Sequence, residues 1–191
     1  MLPWGHLAFG YVCYSGLSRW VSRRRPDGSS LALVALGTQL PDLVDKPLAW
    51  TFGVLPSGRS LAHSAFTATF ASTVVWDFCR RRGRSELGVA FAVGYASHLV
   101  ADSYRALLSG RYAALSSLGW PLLPPPRFDH EGGIVDHFRG LSFTPAFAFQ
   151  LVLVALAAVV WVADGAPGRS AVGDRLARVV DRARERERAI R

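Results

Sequence analysis

From residue 143 to residue 163 the chain carries no charged side chain. A helix of that length, at 1.5 Å per residue, reaches about 30 Å, the thickness of a bilayer's hydrocarbon core. No water is present there to satisfy backbone N–H and C=O groups, so the segment must bond to itself as a helix. Core helices of soluble proteins are rarely apolar all round over such a length. The stretch therefore predicts a membrane span, and the rest of the chain has to be compatible with it.

Four further apolar segments precede it, at about residues 7–21, 31–43, 61–78 and 87–108. Charged residues make up only 19% of the chain, below the roughly 25% of an ordinary soluble domain. The second segment is short and closes on Gly37-Thr38-Gln39-Leu40-Pro41-Asp42, where the proline disfavours a continuing helix. The expected fold is all-α, a polytopic membrane helical bundle of about five transmembrane segments over residues 1–165. A basic tail helix, 166–191, would follow. Cys13 and Cys79 fall in or beside apolar segments and imply neither a disulfide framework nor a metal cluster. The first residues lack a basic run, so the first segment reads as a retained span rather than a cleaved signal.

The turns between segments set an orientation. Arg23-Arg24-Arg25 follows the first segment, Arg80-Arg81-Arg82-Gly83-Arg84 follows the third, and eight arginines lie between 169 and 191. Lys and Arg concentrate on the cytoplasmic side of membrane proteins. Placing these three regions there puts the N-terminus outside and the C-terminus inside. Of the 22 Lys and Arg, 16 are then cytoplasmic and 6 external: Lys46, Arg59, Arg105, Arg111, Arg127 and Arg139. Topology thus accounts for the net charge of +8, and no nucleic-acid partner is expected. The tail fits two readings equally, a helix lying on anionic lipid headgroups and a solvated helix laced with ion pairs.

Ionisable side chains within apolar segments are costly and mark function. His6, Asp42, His63, His98 and Asp102 are such residues. Counted from the cytoplasmic ends of their segments, Asp42 and His98 lie about 17 Å up, and His6, His63 and Asp102 about 23 Å up. Alternating segment directions bring all five into one stratum of the outer half. His98 and Asp102, at i and i+4, share a helix face and can reach one ion. Imidazole plus carboxylate suits zinc, with manganese or another divalent ion also compatible. A plain Asp–His hydrogen bond is the simpler account of that pair taken alone. Asp45, i+3 from Asp42, is a loop residue that could serve as a ligand or a general base. Asp77 reads as a partner for the adjoining arginines. Asp129, His130, Glu131, Asp136 and His137 fall on the same outer side, in a loop that solvation explains equally well. Ser64 and Ser97 neighbour the histidines but lack a nucleophile-elbow surround.

Gly5-His6, Gly37-Thr38-Gln39-Leu40-Pro41-Asp42, Arg59-Ser60-Leu61-Ala62-His63-Ser64 and Gly94-Tyr95-Ala96-Ser97-His98-Leu99-Val100-Ala101-Asp102, with Trp120-Pro121-Leu122 after them, form an ordered set. The set resembles the membrane-bound metal-dependent hydrolases, also described as LexA-binding, inner-membrane-associated hydrolases. It covers about the first two thirds of the chain. A looser likeness is to zinc-dependent phospholipase C, which is all-helical with His/Asp ligands. The resemblance implies a divalent-metal site and a hydrolytic reaction. Family members often carry a denser Asp/His run after the Pro-Asp motif, whereas here Leu43-Val44-Asp45-Lys46 follows.

The expected function is hydrolysis at the extracytoplasmic side of the plasma membrane. A metal, zinc by preference, would be held by His6, Asp42, His63, His98 and Asp102, with Asp45 as base. Membrane lipids surround the protein, and a lipid-like phosphoester is the expected substrate, on the analogy with phospholipase C. The alternative is a non-enzymatic transport or ion-pathway protein using the same cluster.

Overall fold

Local chemistry sets where each helix begins. The computed structural model describes residues 1–125 and 142–169. Helix α1, Pro3–Leu17, starts at a proline, whose missing N–H costs nothing in a first turn, and runs on as a π-helical turn, Ser18–Ser22. Helix α2, Gly28–Lys46, opens with a reciprocal capping box. Ser30 N–H donates to Asp27 Oδ1 at 2.7 Å, and Asp27 N–H donates to Ser30 Oγ at 2.8 Å. Ser64 caps α3, Ala65–Arg80, by accepting from Phe66 N–H. Gly83, at φ +69°, turns the chain into α4, Ser85–Leu108. A 3₁₀ helix, Tyr112–Gly119, follows. Thr144 caps α5, Pro145–Ala163, through Phe147 N–H at 3.2 Å. The described residues contain helices and no strand.

Two segment boundaries differ from expectation. Helix α2 continues through Pro41 to Lys46 and then into a π-helical turn, Pro47–Thr51. A proline inside a helix costs about 3 kcal/mol, but here the packing of α2 on α4 holds the helix in shape. A Cβ on Gly37 would collide with the Phe91 carbonyl, and one on Gly94 would lie 2.5 Å from the Val34 carbonyl oxygen. The two backbones therefore touch through paired glycines in the turns just before Pro41. Asp45, expected in a loop, consequently sits on helix. The third segment begins late, so His63 lies on a turn ahead of α3 rather than within a helix.

The surface is apolar and the interior partly polar. Phe66, Phe70, Val74 and Phe78, four residues apart along α3, are all exposed, as are Phe149, Val152, Leu156 and Val159 on α5. His6, Thr38, Asp45, Ser60, His63, Ser97 and His98 are buried. Among the described residues, α5 alone is long and apolar enough by itself to cross a membrane, with a mean hydropathy of 2.5. At 15 and 16 residues α1 and α3 are short, and α2 and α4 carry several of the buried polar groups, Ser30, Thr38, Asp45, Ser97 and His98.

The two ends of the bundle differ. At one end Arg84 reaches Asp27 at 3.3 Å, Arg19 Nε reaches Asp164 at 2.9 Å, and Gly28 abuts Gly168. The arginine-bearing turns and the segment after α5 thus meet there. His6, Asp42, His63 and Asp102 gather at the other. The loop residues Asp129, His130, Glu131, Asp136 and His137, and the tail from 170 onward, lie outside the described residues.

Candidate metal centre

His98 is fully buried on α4, and its Nδ1 lies 2.7 Å from the Thr38 carbonyl oxygen on α2. A carbonyl only accepts, so Nδ1 carries the ring proton and Nε2 presents a lone pair. His63 is fixed in the same way. Its Nδ1 lies 2.8 Å from Asp45 Oδ2, and Asp45 also accepts from Ser60 N–H at 2.9 Å, Ala62 N–H at 2.8 Å and His63 N–H at 3.2 Å. The Asp45 carboxylate only accepts, so His63 Nδ1 is the donor and, in the neutral ring, its Nε2 is bare. Such outer partners are how proteins set the tautomer of a metal-binding histidine.

The two bare Nε2 atoms face one another at 3.2 Å. Two lone pairs at that distance repel unless a cation or a proton stands between them. Carboxylate oxygens complete the set. Asp42 Oδ1 lies 3.7 Å from His63 Nε2 and 3.8 Å from His98 Nε2, and Asp102 Oδ2 lies 3.6 and 4.0 Å from the same atoms. All four ligand atoms fall within 4.8 Å of one another. A tetrahedral zinc with ligands at 2.0–2.1 Å sets them about 3.3–3.4 Å apart. Asp42 Oδ2 takes the Lys46 ammonium at 2.6 Å, whereas Asp42 Oδ1 is buried with no hydrogen-bond partner. Two bare imidazole nitrogens and an orphaned carboxylate oxygen, converging in a buried site, fit a divalent metal.

His6, on α1, stands just outside this group of four. Its ring stacks on His98, with centroids 3.8 Å apart and planes 16° from parallel. Its Nε2 lies 3.3 Å from Asp102 Oδ1, the oxygen turned away from the two Nε2 atoms, and neither ring nitrogen makes a hydrogen bond. Asp102 is further held by Arg59 Nε at 2.9 Å and by the Met1 amino group at 2.8 Å.

The sequence reading of Asp45 as a general base needs correction. Its carboxylate is wholly buried and accepts from four donors, one of them the His63 ring, so it positions His63 and is shut off from a substrate. Thr38 and Arg59 were missed as contributors. Thr38 lies four residues before Asp42 on one helix face, a usable signal; Arg59 sits in an irregular turn and offers none. Ser64 Oγ donates to the Trp120 carbonyl at 2.6 Å and Ser97 Oγ to the Gly94 carbonyl at 2.7 Å, so both hydroxyls serve the fold.

An apolar exterior around a buried His/Asp centre defines a helical membrane protein with a polar core. The chain belongs to the YdjM inner membrane protein family, whose model matches residues 1–167 and so takes in every described helix and all the residues of the centre. It is an integral protein of the inner membrane. No curated protein and no solved structure matches the chain.

Proposed function

We propose that this inner-membrane protein is a metal-dependent hydrolase acting on a phosphoester at the extracytoplasmic face. The observation that carries the reading is the pair of bare Nε2 atoms of His63 and His98, 3.2 Å apart, with the orphaned Asp42 Oδ1 beside them. Asp42, His63, His98 and Asp102 are the proposed ligands, and zinc the proposed metal. Bound zinc supplies a Lewis acid and lowers the pKa of water towards about 7.

The chain's own residues do the rest. Asp45 and the Thr38 carbonyl hold the two imidazoles in the binding tautomer. Lys46 orients Asp42. His6, whose ring nitrogens make no hydrogen bond and whose Nε2 lies 3.3 Å from Asp102 Oδ1, replaces Asp45 as the proposed proton acceptor. Hydrolysis forms a bond from water oxygen to phosphorus and breaks the P–O ester bond; the water proton passes to His6 Nε2 and then to the departing alkoxide.

In this reading all five helices cross the bilayer, with the arginine-bearing end cytoplasmic. The exposed apolar stripe of α3 and the clustering of Arg19, Arg84 and the post-α5 segment at one end support it.

The test is the metal content of the full chain purified in detergent, followed by turnover of phosphomonoesters and phosphodiesters. Wild type is expected to hold a stoichiometric divalent ion. His98→Ala and Asp102→Asn are expected to lose it while remaining folded, since apolar and glycine packing holds α4. Full occupancy in both variants, or none in the wild type, refutes the proposal.

A further inference from the structure

A cavity of about 270 Å³ opens beside the centre, between the outer ends of α4 and α5. Its lining includes Arg59, Asp102, Tyr104, Arg105, Arg111 and Gln150. Three arginines therefore line one small space whose single described carboxylate, Asp102, is already shared with Arg59 and the Met1 amine. Arg105 and Arg111 pair with no carboxylate among the described residues; Arg111 spends its Nε on Ser109 Oγ at 3.0 Å.

These arginines stand on the wrong side for topology. Of the six basic residues assigned to the external face, Lys46 neutralises Asp42, and Arg127 and Arg139 lie outside the described residues. The other three converge on this cavity. Distributing Lys and Arg for insertion disfavours that placement, so a binding task accounts for it better. Arg105 is one helical turn beyond Asp102 on α4, so an anion held by Arg105 and Arg111 lies within reach of the centre.

We propose that this cavity is an oxyanion subsite in which Arg105 and Arg111, with Arg59 behind them, bind the phosphate of a phosphomonoester. The proposal rests on the hydrolase reading for its meaning and narrows its substrate class. Planar guanidinium forks match phosphate oxygens two at a time, and a dianion suits several cations better than a diester's single charge does. The volume lies below the roughly 300–1,000 Å³ of sites that enclose a drug-sized ligand, so it admits a headgroup only. Beside it Leu107, Leu108 and Phe149 are exposed and apolar, a surface along which an acyl chain can lie.

The test uses the full chain, with metal content measured in every preparation. Inorganic phosphate is titrated calorimetrically into detergent-solubilised protein. Lipid binding is measured in phosphatidylcholine nanodiscs doped with either phosphatidic acid, a monoester, or phosphatidylglycerol, a diester. Arg105→Gln with Arg111→Gln is expected to weaken phosphate binding by about tenfold or more and to leave metal content unchanged. Arg81→Gln, at the opposite end, is expected to change neither. Arg105→Lys, which keeps the charge without the fork, is expected to fall between and guards against a misfolded double variant. Retention of phosphatidic acid over phosphatidylglycerol assigns a lipid source, and phosphate binding without that retention assigns a soluble monoester. Phosphate affinity unchanged in the double variant, or equal binding of the two lipids with no phosphate binding, overturns the subsite. Metal-free His98→Ala separates the two proposals: phosphate binding that persists there and is lost on removing the arginines supports the subsite even if the wild type holds no metal.

Discussion

Asp45→Asn separates a positioning carboxylate from a general base. The native side chain accepts Ala62 N–H on Oδ1, and Ser60 N–H, His63 N–H and His63 Nδ1–H on Oδ2. Asparagine offers one acceptor oxygen and one NH2. The better orientation sets the NH2 against Ala62 N–H, leaving both that N–H and the amide's own N–H donors without an acceptor, at a cost of about 1–3 kcal/mol for each unsatisfied group. The three remaining bonds change from ionic to neutral acceptors. The opposite orientation turns the NH2 towards His63 Nδ1, which then accepts and moves the ring proton to Nε2, where it blocks the metal. Loss of an outer carboxylate of this kind typically lowers metal affinity 10–100-fold, about 1.4–2.7 kcal/mol. Competition with a chromophoric zinc chelator, run on detergent-purified protein beside a thermal melt, measures both effects. A folded Asp45→Asn protein with wild-type zinc affinity and abolished turnover would refute the positioning argument and restore the base.

Three other expectations follow from the packing, the charge cluster and the topology. Gly94→Ala forces a Cβ to 2.5 Å from the Val34 carbonyl oxygen, so it should lower unfolding stability by about 1–3 kcal/mol; an unchanged melt would show that α2 and α4 separate freely. Burial works to raise the Asp164 pKa, but bonds from Ser15, Tyr11 and Arg19 outweigh it and hold the carboxyl below its ordinary 3.8. Its stabilisation is therefore complete above the ordinary value and disappears as pH falls through the depressed one; acid unfolding of Asp164→Asn should be shallower there, and a curve parallel to wild type would remove Asp164 from the acid limb. Reporter fusions after Arg84 should report a cytoplasmic position and fusions near Ser57 an external one; the reverse would invert the assigned faces.

The convergence of His6, Asp42, His63, His98 and Asp102 was legible because it depends on two regular quantities, helical rise and alternating direction. The His98/Asp102 spacing needed only an i, i+4 rule. What escaped was set by irregular backbone. The turn over 57–64 folds back so that three of its backbone N–H groups, those of Ser60, Ala62 and His63, meet Asp45, and no periodicity encodes that. The same turn delivers Arg59 to Asp102. Pro41 misled because its helix-breaking tendency is local, whereas the packing of α2 on α4 joins residues far apart in sequence. Phe143 to Ala163 was read as a span from composition, and α5 keeps that property; segment 61–78 starts ahead of α3 because Leu61 and Ala62 of the preceding turn are apolar too.

Helix α5 gives no ligand to the centre, yet it conditions the centre's geometry. Its surface is as apolar as lipid tails, so packing against α1 gains little from the hydrophobic effect within a bilayer, and polar bonds and close contacts must fix the register. They do so at both ends. Gln150 Oε1 accepts Leu2 N–H at 2.7 Å, against Gly5, where a Cβ would come within 2.7 Å of the same oxygen. At the other end Asp164 Oδ2 accepts from Tyr11 and Ser15, each at 2.7 Å. Small residues, Ala8 and Ala157, pack between with Leu153. With α1 so fixed, Gly10 leaves space for the Thr38 methyl and Ser97 hydroxyl, and the Thr38 carbonyl in turn sets the His98 tautomer. The lone pair that His98 offers the centre thus depends, through α1 and α2, on two polar side chains at the ends of the most apolar of the described helices.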